Sequence, residues 1–402
     1  MKFRKNVLQL RSISLCDDMR SEMDTNPNDF APTILGPGDT PTVPQPSPHP
    51  KNSSSAGSTT VIVTTEEMQD LSKDSLLIMA PRTTLNSVTV PCLGCIALVK
   101  KLGQGGMAAV YLGFNPRLNK KVAVKVLPMS SVERDSGSKV RFVREAQMAA
   151  RVESPHLVNV IDVDEDSSGL AFYVMEYVQG ISAGDYLKRV RQTGAQGLSE
   201  LEALDLCIAA TVGLAAAHAK EVIHRDVKPD NIMIPGDERK KELRLQHAKL
   251  ADLGLARDVT EEGITATGVG MGTPGFMSPE QCTDAKKCGK PADVFSMGAT
   301  LYALLCGKAP FTSDSSAFQV FKDTCDRPHE PILNVRSEVS ATTSELLDCC
   351  LAKDETIDPR AFKETGERSE SLPFPSPTGR GPTSSRIARG VRGVRLWIRA
   401  GQ

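Results

Sequence analysis

Residues 223–231 read Ile-His-Arg-Asp-Val-Lys-Pro-Asp-Asn, and this stretch decides how the rest of the chain is arranged. It sets Asp226, Lys228 and Asn231 between two apolar runs, so a rigid loop would direct the three polar side chains towards one point. A carboxylate can accept a proton from a hydroxyl, an ammonium can neutralise developing negative charge, and an amide oxygen can hold a cation. The loop therefore suits the transfer of a highly charged group.

A cluster of glycines lies upstream, after a strand-like run that begins at Ile96. Glycines in a hairpin let backbone N–H groups approach a phosphate chain where any Cβ would obstruct. A turn with a glycine bulge would give the same pattern, so the cluster is weak evidence by itself. The stretch comprises Leu102, Gly103, Gln104, Gly105, Gly106, Met107, Ala108, Ala109 and Val110.

Lys125 interrupts a β-branched run, and a buried lysine is costly unless it is paired. The plainer interpretation is a surface lysine on an edge strand. A helix is predicted over residues 139–152, with Glu145 at the edge of its apolar side, where it can turn towards Lys125. A surface pair of Glu145 with Arg141 is the alternative.

Three further motifs follow the loop in chain order. Asp252 lies in the run Lys-Leu-Ala-Asp-Leu-Gly, Glu280 ends the run Ser-Pro-Glu, and a long apolar segment begins at Asp293. That segment is apolar on nearly all sides, which predicts a buried helix. Asp293 would cap this helix or bond the loop that contains Asp226.

In this order and at these spacings, the motifs resemble those of the protein kinase family. The glycine stretch resembles the form found in bacterial serine/threonine kinases of the Hanks type. The resemblance implies an α+β, two-lobed kinase domain over residues 96–362. A small antiparallel β-sheet lobe with one helix would span about 96–177, and a larger, mainly helical lobe about 178–362.

The segments outside this domain have a different composition. Residues 1–95 are expected to be a largely disordered extension, with short β-prone runs and a helix-like stretch at 66–77 in its last part. Residues 363–402 are rich in Pro, Ser, Gly and Arg and are expected to form a disordered basic tail. A weak binder of anionic surfaces and a truncated or frame-shifted end remain alternatives for this tail.

The resemblance implies ATP as cofactor with Mg²⁺, or Mn²⁺ in its place. Asn231 and Asp252 would hold the metal, and Lys125, fixed by Glu145, would bind the α- and β-phosphates. Asp226 would deprotonate the substrate hydroxyl, and Lys228 would steady the transferred group. Besides the glycine stretch and Lys125, the nucleotide contacts would come from Ala123, Met175 as gatekeeper, Glu176, Val178, Ser182 and Met233.

The run between Asp252 and Glu280 is rich in Thr and Gly. A phosphate on Thr260, Thr265 or Thr267 would pair with Arg225 and order this segment. Thr273 resembles the threonine beside the catalytic aspartate in serine/threonine-specific kinases, which argues against tyrosine specificity and against a small-molecule substrate.

Some positions depart from the family pattern. Ala108 replaces the third glycine, Leu253 stands where Phe is more common, and Ser278 stands where Ala is more common. Arg360, which would pair with Glu280, lies later than the family spacing. These departures leave open a pseudokinase scaffold that binds partners or nucleotide without phosphoryl transfer.

The composition restricts partners and location. A formal net charge of -1 and a pI near 6.6 give no electrostatic footprint for nucleic acid. The most apolar stretch, residues 204–219, is too short for a membrane span. The 10 cysteines are typical of reduced thiols in a cytoplasm. The expectation is a cytoplasmic signalling enzyme with protein substrates and a transient homodimer for autophosphorylation.

Overall fold

The computed structural model describes residues 63–105, 108–128, 137–237, 242–253, 273–283, 288–313 and 316–353, together with residues 387, 391, 392, 394 and 395. All of them belong to the unit that spans Thr59–Gln402.

A seven-stranded antiparallel sheet forms the N-terminal lobe, with strand order β1-β2-β3-β4-β5-β7-β6. Asn86 and Ser87 both have left-handed backbone angles, with φ of 49° and 65°, and this geometry is typical of a tight two-residue hairpin turn between β1 and β2. The strands are β1 (Arg82–Leu85), β2 (Val88–Leu93), β3 (Ile96–Gln104), β4 (Ala109–Asn115), β5 (Lys120–Val126), β6 (Val160–Glu165) and β7 (Ala171–Glu176).

Both faces of this sheet are covered. Val122 and Val124 of β5 lie in an outer apolar cluster, whereas Ala123 lies in an inner cluster with residues of helix α1 (Ser138–Ala149). A strand buried on both faces has apolar residues at successive positions rather than at alternate ones, which is the pattern of β5. The inner face, which carries Lys125, is the one that borders the candidate site.

The outer face is covered by residues 63–81, which we name the N-terminal strap. Leu71, Leu77 and Ala80 of the strap are buried in the outer cluster against the sheet. The expectation of a largely disordered segment is therefore wrong for residues 63–95, while residues 1–62 lie outside the described residues. The helix-like stretch predicted at 66–77 is also wrong, because only Thr65–Glu67 is helical there, as one 3-10 turn.

Asp74 fastens the strap to the sheet. Its carboxylate accepts hydrogen bonds from Lys101 Nζ at 3.0 Å and from the Tyr111 hydroxyl at 3.0 Å. The backbone N–H of Leu76 donates to the same side chain at 3.1 Å. Since a buried carboxylate is costly without donors, this set of three explains why Asp74 is tolerated in an apolar layer.

The sheet also crosses the domain boundary that the sequence suggested at Ile96. Leu93 pairs with Ile96 and Cys92 pairs with Ala97 in the β2–β3 ladder. The N-terminal lobe of the structure therefore begins before Ile96.

The C-terminal lobe is mainly helical, as predicted. Ser182, Ser199, Ser316 and Ser340 each cap a helix by accepting a hydrogen bond from a backbone N–H of its first turn. The helices are α2 (Ala183–Gln192), α3 (Glu200–His218), α4 (Pro279–Thr283), α5 (Lys290–Cys306), α6 (Ala317–Asp326), α7 (Ile332–Val335) and α8 (Ala341–Cys350).

Helices α3 and α5 form the centre of this lobe. The sequence predicts an amphipathic helix over residues 201–220 with Leu201, Leu204, Ile208, Thr211 and Ala215 near one face, but three of these five are only partly buried. The helix instead has neighbours on several sides, because α5, the 3-10 turn Leu245–His247 and the short strand Lys249–Leu250 all contact it. By length and composition α3 could cross a membrane, yet 61 % of its apolar window is buried in the lobe, as expected for a core helix. Its buried residues include Ala203, Leu206, Cys207, Ala210, Leu214 and Ala217.

Short strands lie at the junction with the N-terminal lobe. β8 (Gly180–Ser182), β9 (Ile232–Asp237), β10 (Glu242–Leu243) and β11 (Lys249–Leu250) form a small antiparallel sheet. A Cβ at Gly180 would lie 1.9 Å from the Ile234 carbonyl oxygen, so this close approach requires glycine. The sequence of residues 236–246 predicts a charged surface insertion, but its described residues include β10 and the start of the 3-10 turn Leu245–His247.

The described residues of the C-terminal tail pack on the C-terminal lobe. Val391 and Val394 are buried in its core, and Ile387 packs against the same core. Arg395 Nη2 lies 3.0 Å from Glu345 Oε2 on α8. The prediction of a disordered tail is therefore wrong for these positions.

Candidate active site

A single buried carboxylate holds the loop at residues 223–231. The backbone N–H groups of His224 and Arg225 donate to Asp293 Oδ2 and Oδ1, each at 2.8 Å. His218 Nε2 lies 2.7 Å from Asp293 Oδ2. Asp293 is fully buried in the first turn of α5, and of its two predicted roles it takes the one of bonding the loop. Arg225 has a left-handed backbone, with φ of 64°, which places both amides on one side.

Asp226, Lys228, Asn231 and Thr273 meet at the mouth of this loop. Lys228 Nζ lies 3.0 Å from Asp226 Oδ2 and 2.6 Å from the Thr273 hydroxyl. The Asn231 amide nitrogen donates to the Asp226 carbonyl at 2.8 Å and to Asp226 Oδ2 at 3.1 Å. Because the amide nitrogen is used in this way, the amide oxygen is the atom that can serve a cation.

Lys125 lies between two carboxylates from different parts of the chain. Its Nζ is 3.3 Å from Glu145 Oε1 on α1 and 3.0 Å from Asp252 Oδ1, which follows β11. The surface alternatives for Lys125 and Glu145 are thereby excluded. Asp252 has φ of 56°, and this left-handed backbone turns its side chain towards Lys125.

The charges of this group depend on one another. Burial lowers the pKa of Lys125, but the nearby Asp252, Tyr173 and Glu145 raise it well above its usual value. The Lys125 charge holds the pKa of Asp252 below its usual range. Burial raises the pKa of Glu145, and Lys125 only partly offsets this. Asp252 is therefore firmly ionised at neutral pH, and Glu145 is the carboxylate that takes up a proton more readily.

His224 connects the loop to the segment before Asp252. Its Nε2 lies 3.0 Å from the Ala251 carbonyl oxygen, and the Asp226 N–H donates to its Nδ1 at 3.2 Å. Burial lowers the pKa of His224. A neutral ring with the proton on Nε2 satisfies both contacts, so one imidazole fixes the positions of Asp226 and Asp252 together.

The glycine stretch forms the turn between β3 and β4. The Gly105 N–H donates to the Ala108 carbonyl at 2.8 Å, while Gly106 and Met107 lie outside the described residues. Ala108 is buried in the inner cluster with Ala123 and Phe142, so its methyl group is accommodated. Leu102 is exposed, and Gly103 pairs with Val110 across the hairpin.

The expected nucleotide contacts lie along the junction of the lobes. Ala123 pairs with Met175 across β5 and β7, and Ser182 pairs with Met233 across β8 and β9. Val178 lies between these two pairs in sequence and is buried. The Ser182 hydroxyl caps α2 by accepting from the Asp185 N–H at 3.0 Å and donates to Asp185 Oδ2 at 3.0 Å, so towards a ribose it has acceptor capacity left.

The Glu176 side chain is engaged away from any nucleotide. Lys249 Nζ lies 3.0 Å from Glu176 Oε2 and 3.4 Å from the Leu157 carbonyl oxygen. Only the backbone of Glu176 therefore fits the contact that the resemblance implied.

The segment after Asp252 is described only in part. Leu253 is buried in the core of the C-terminal lobe, so an apolar side chain suits this position. The candidate modification sites Thr260, Thr265 and Thr267 lie outside the described residues, as does Arg360.

Two functional side chains escaped the sequence reasoning. Gln281 donates to the Arg225 carbonyl at 2.9 Å and accepts from the Ser278 N–H at 3.0 Å, so it ties the Ser-Pro-Glu motif to the loop. Gln281 could have been noticed in the sequence because it directly follows that motif. Tyr173 donates to Glu145 Oε1 at 3.4 Å. Tyr173 could have been identified only from the register of the two strands, which pairs it with Lys125.

Comparisons with known proteins agree with this geometry. A family model described as "Protein kinase domain" matches residues 96–360. The chain is 34 % identical over 245 residues to a probable serine/threonine-protein kinase, pknA2 of Bifidobacterium longum, and the match covers 60 % of the chain and 30 % of that relative. It is 36 % identical over 239 residues to the serine/threonine-protein kinase PknB of Mycobacterium tuberculosis, with 57 % and 35 % covered.

The chain thus spans about a third of the length of these curated relatives. Among solved structures, the PknI kinase domain of Mycobacterium tuberculosis, crystallised as a double mutant, is similar with a TM-score of 0.50 and 24 % identity. That match covers 68 % of this chain and 92 % of the other. At this identity the likeness concerns the fold alone.

Proposed function

The chain belongs to the protein kinase family, and from this premise we propose that it is an ATP-dependent protein serine/threonine kinase that transfers the γ-phosphoryl group to protein hydroxyls. The observation that carries the proposal is the pairing of Lys125 with Asp252 and of Asp226 with Asn231. His224 connects the two pairs through its contacts with the Asp226 N–H and the Ala251 carbonyl oxygen. A scaffold that only binds partners has no need of all four groups.

The residues present fit a magnesium nucleotide. The Asp252 carboxylate is partly exposed, and the Asn231 amide presents its oxygen, so the donor set is the oxygen-only kind that Mg²⁺ prefers. These two residues would hold the metal. When bound, the metal would neutralise negative charge on the phosphates. The Lys125 ammonium binds phosphate oxygens, and Glu145 fixes the direction of that ammonium.

Asp226 would act as the base. Its Oδ2 accepts from Lys228 and from Asn231, which orients the carboxylate towards the mouth of the loop. The substrate hydroxyl donates its proton to this carboxylate as its oxygen attacks the γ-phosphorus of ATP. The bond from that phosphorus to the β,γ-bridging oxygen breaks, and ADP leaves with the electron pair of this bond. Lys228 balances the negative charge of the transferred group.

Thr273 supports serine or threonine as the acceptor. Its hydroxyl receives a hydrogen bond from Lys228 at 2.6 Å, which brings the segment around residue 273 close to the base. This is the physical support for the specificity that the resemblance implied.

The test replaces Asp226 by asparagine and uses Asp230→Asn, an exposed carboxylate of the same loop, as the matched control. Asp226→Asn should lower kcat by roughly 10²- to 10⁴-fold, because the proton acceptor is lost, while nucleotide binding persists. Asp230→Asn should stay within about 3-fold of the unmodified chain. Phosphate incorporation into a generic protein substrate, with Mg-ATP, is the measurement. Equal turnover of the Asp226→Asn variant and the unmodified chain would remove Asp226 from the role of base.

Several finer features are part of the same proposal. We infer protein substrates that include a second copy of this chain, a transient homodimer during that reaction, a cytoplasmic location and a role in signalling. Phosphate on Thr260, Thr265 or Thr267 would form charge-assisted bonds with Arg225. Alanine at all three threonines should then lower activity relative to the unmodified chain.

A further inference from the structure

Tyr173 lies directly beside the Lys125–Glu145 pair. It is the cross-strand partner of Lys125 in the β5–β7 ladder, so both side chains point to the inner face of the sheet. The side chain is 3 % exposed and belongs to the inner apolar cluster. A buried tyrosine hydroxyl needs a polar partner, and here that partner is Glu145.

The side chain contacts both members of the pair and the helix that carries one of them. Its hydroxyl donates to Glu145 Oε1 at 3.4 Å, and its ring centroid lies 5.5 Å from Lys125 Nζ. The ring also packs on Phe142, with centroids 5.0 Å apart. Phe142 and Glu145 are three residues apart on α1 and therefore share one face of that helix.

The position of α1 depends on contacts of this kind. Its N-cap residue, Gly137, provides no side-chain cap, and the sheet-facing residues Phe142, Glu145 and Ala146 are its buried ones. Within the described residues, the Glu145 carboxylate accepts from two side chains, Lys125 and Tyr173. Loss of the tyrosine hydroxyl would leave a buried carboxylate with a single donor.

We propose that Tyr173 is a positioning residue that holds Glu145 against Lys125 from the sheet side and so keeps the ammonium directed at the nucleotide phosphates. This proposal rests on the proposed function of the site. It adds to that function a residue that touches neither nucleotide nor substrate and acts only through Glu145.

The proposal predicts a change in pH dependence and not only in stability. The tyrosine hydroxyl stabilises the ionised form of Glu145, whose pKa burial already raises. Without the hydroxyl, that pKa rises further, so Glu145 becomes neutral at a higher pH and releases Lys125 there. A role in packing alone would be preserved by phenylalanine, which keeps the ring against Phe142.

The experiment compares Tyr173→Phe with Tyr186→Phe in the full chain. Tyr186 is a suitable control because its hydroxyl donates to the carboxylate of Glu202 at 2.7 Å, far along the chain in the C-terminal lobe. The dissociation constant of the Mg²⁺ complex of the β,γ-imido analogue of ATP is measured from about pH 5.5 to about pH 8. Tyr173→Phe should weaken binding by about 3- to 10-fold at the acid end and move the midpoint upward by about one pH unit, with convergence at high pH.

A second pair of variants distinguishes an effect of Tyr173 on the position of Glu145 from a general effect on folding. In a Glu145→Gln background, adding Tyr173→Phe should leave the pH profile unchanged, because no titrating carboxylate remains for the hydroxyl to act on. The proposal is overturned by a Tyr173→Phe profile that coincides with that of the unmodified chain, by an equal shift in Tyr186→Phe, or by a shift that persists with Glu145→Gln. Phosphate transfer by the unmodified chain is assayed in parallel, so that a nucleotide-binding chain without transfer would count against the proposed function alone.

Discussion

Lys125 and His224 each connect groups that are distant in sequence. Lys125 bridges Glu145 and Asp252, and His224 bridges the backbone of Asp226 and that of Ala251. Each of these side chains has neutral or opposite partners at hydrogen-bond distance, which offsets the cost of burial. Removal of one member of such a pair therefore leaves the other member buried without its partner, so both lose their position in the candidate site.

His224 gives a prediction for stability against pH. Burial lowers the pKa of His224 in the fold below its ordinary value of 6.5. The unfolded chain consequently binds a proton first as pH falls, so this group contributes stability above about pH 6.5 that is lost towards acid pH. His224→Asn should lower stability overall but make the fall in melting temperature between about pH 7.5 and about pH 5.5 shallower.

Thermal unfolding followed by circular dichroism measures both slopes. The exposed His247, replaced by asparagine, serves as control and should keep the slope of the unmodified chain. An unchanged slope for His224→Asn would contradict the assignment of a neutral, buried imidazole.

The N-terminal strap is the element that the sequence predicted least well. Its buried residues Leu71, Leu77 and Ala80 follow neither a helical nor an alternating period, so the helix-like pattern at 66–77 did not identify them. They are buried only because the outer face of the folded sheet provides a complementary apolar surface. By contrast, the sequence indicated that Lys125 meets Glu145, because each of these motifs combines a charged residue with a fixed apolar frame.

Two adjacent strap residues provide a sharp test of this docking. Leu77 is fully buried, whereas its neighbour Ile78 is 61 % exposed. Leu77→Ala should reduce the free energy of unfolding by roughly 2–5 kcal/mol through lost burial and a cavity. Ile78→Ala should change it by less than about 0.5 kcal/mol. Urea unfolding gives both values, and similar losses in the two variants would mean that the strap does not dock as described.

The faces of α3 illustrate a different limit of sequence reasoning. Periodicity suggested one buried face, yet the helix is enclosed by several neighbours, including α5. A helix surrounded by packed elements has apolar residues all round, so no single face stands out in the pattern. The sequence thus predicted that this helix exists but not which of its sides meets which neighbour.

At the scale of the molecule, the folded unit extends beyond the span that matches the kinase family. The family match covers residues 96–360, but β1, β2 and the strap precede it, and Val391 and Val394 follow it. We therefore propose that the folding unit includes residues 63–95. The two-lobed α+β architecture was predictable from motif order, whereas these additions were not, because they carry no family motif.

Shortened chains test this limit. A chain that starts at residue 96 loses β2 from the ladder with β3 and uncovers the outer apolar cluster. It should melt at a lower temperature than a chain that starts at residue 63, and it should bind a hydrophobic dye such as ANS more strongly, because a large apolar patch is exposed. Equal melting temperatures and equal dye binding would show that the strap and the first strands are dispensable for folding.

The contact between Lys125 and Asp252 affects the affinity of the site for a nucleotide. Two carboxylates of the protein replace most of the water around the Lys125 ammonium. A phosphate that binds Lys125 therefore replaces a carboxylate beside the ammonium rather than water. The free energy of binding is then only the difference between the attraction of Lys125 for the phosphate and its attraction for the carboxylate. We therefore expect polyphosphates, which carry several negative charges, to compete with these carboxylates better than singly charged ligands do.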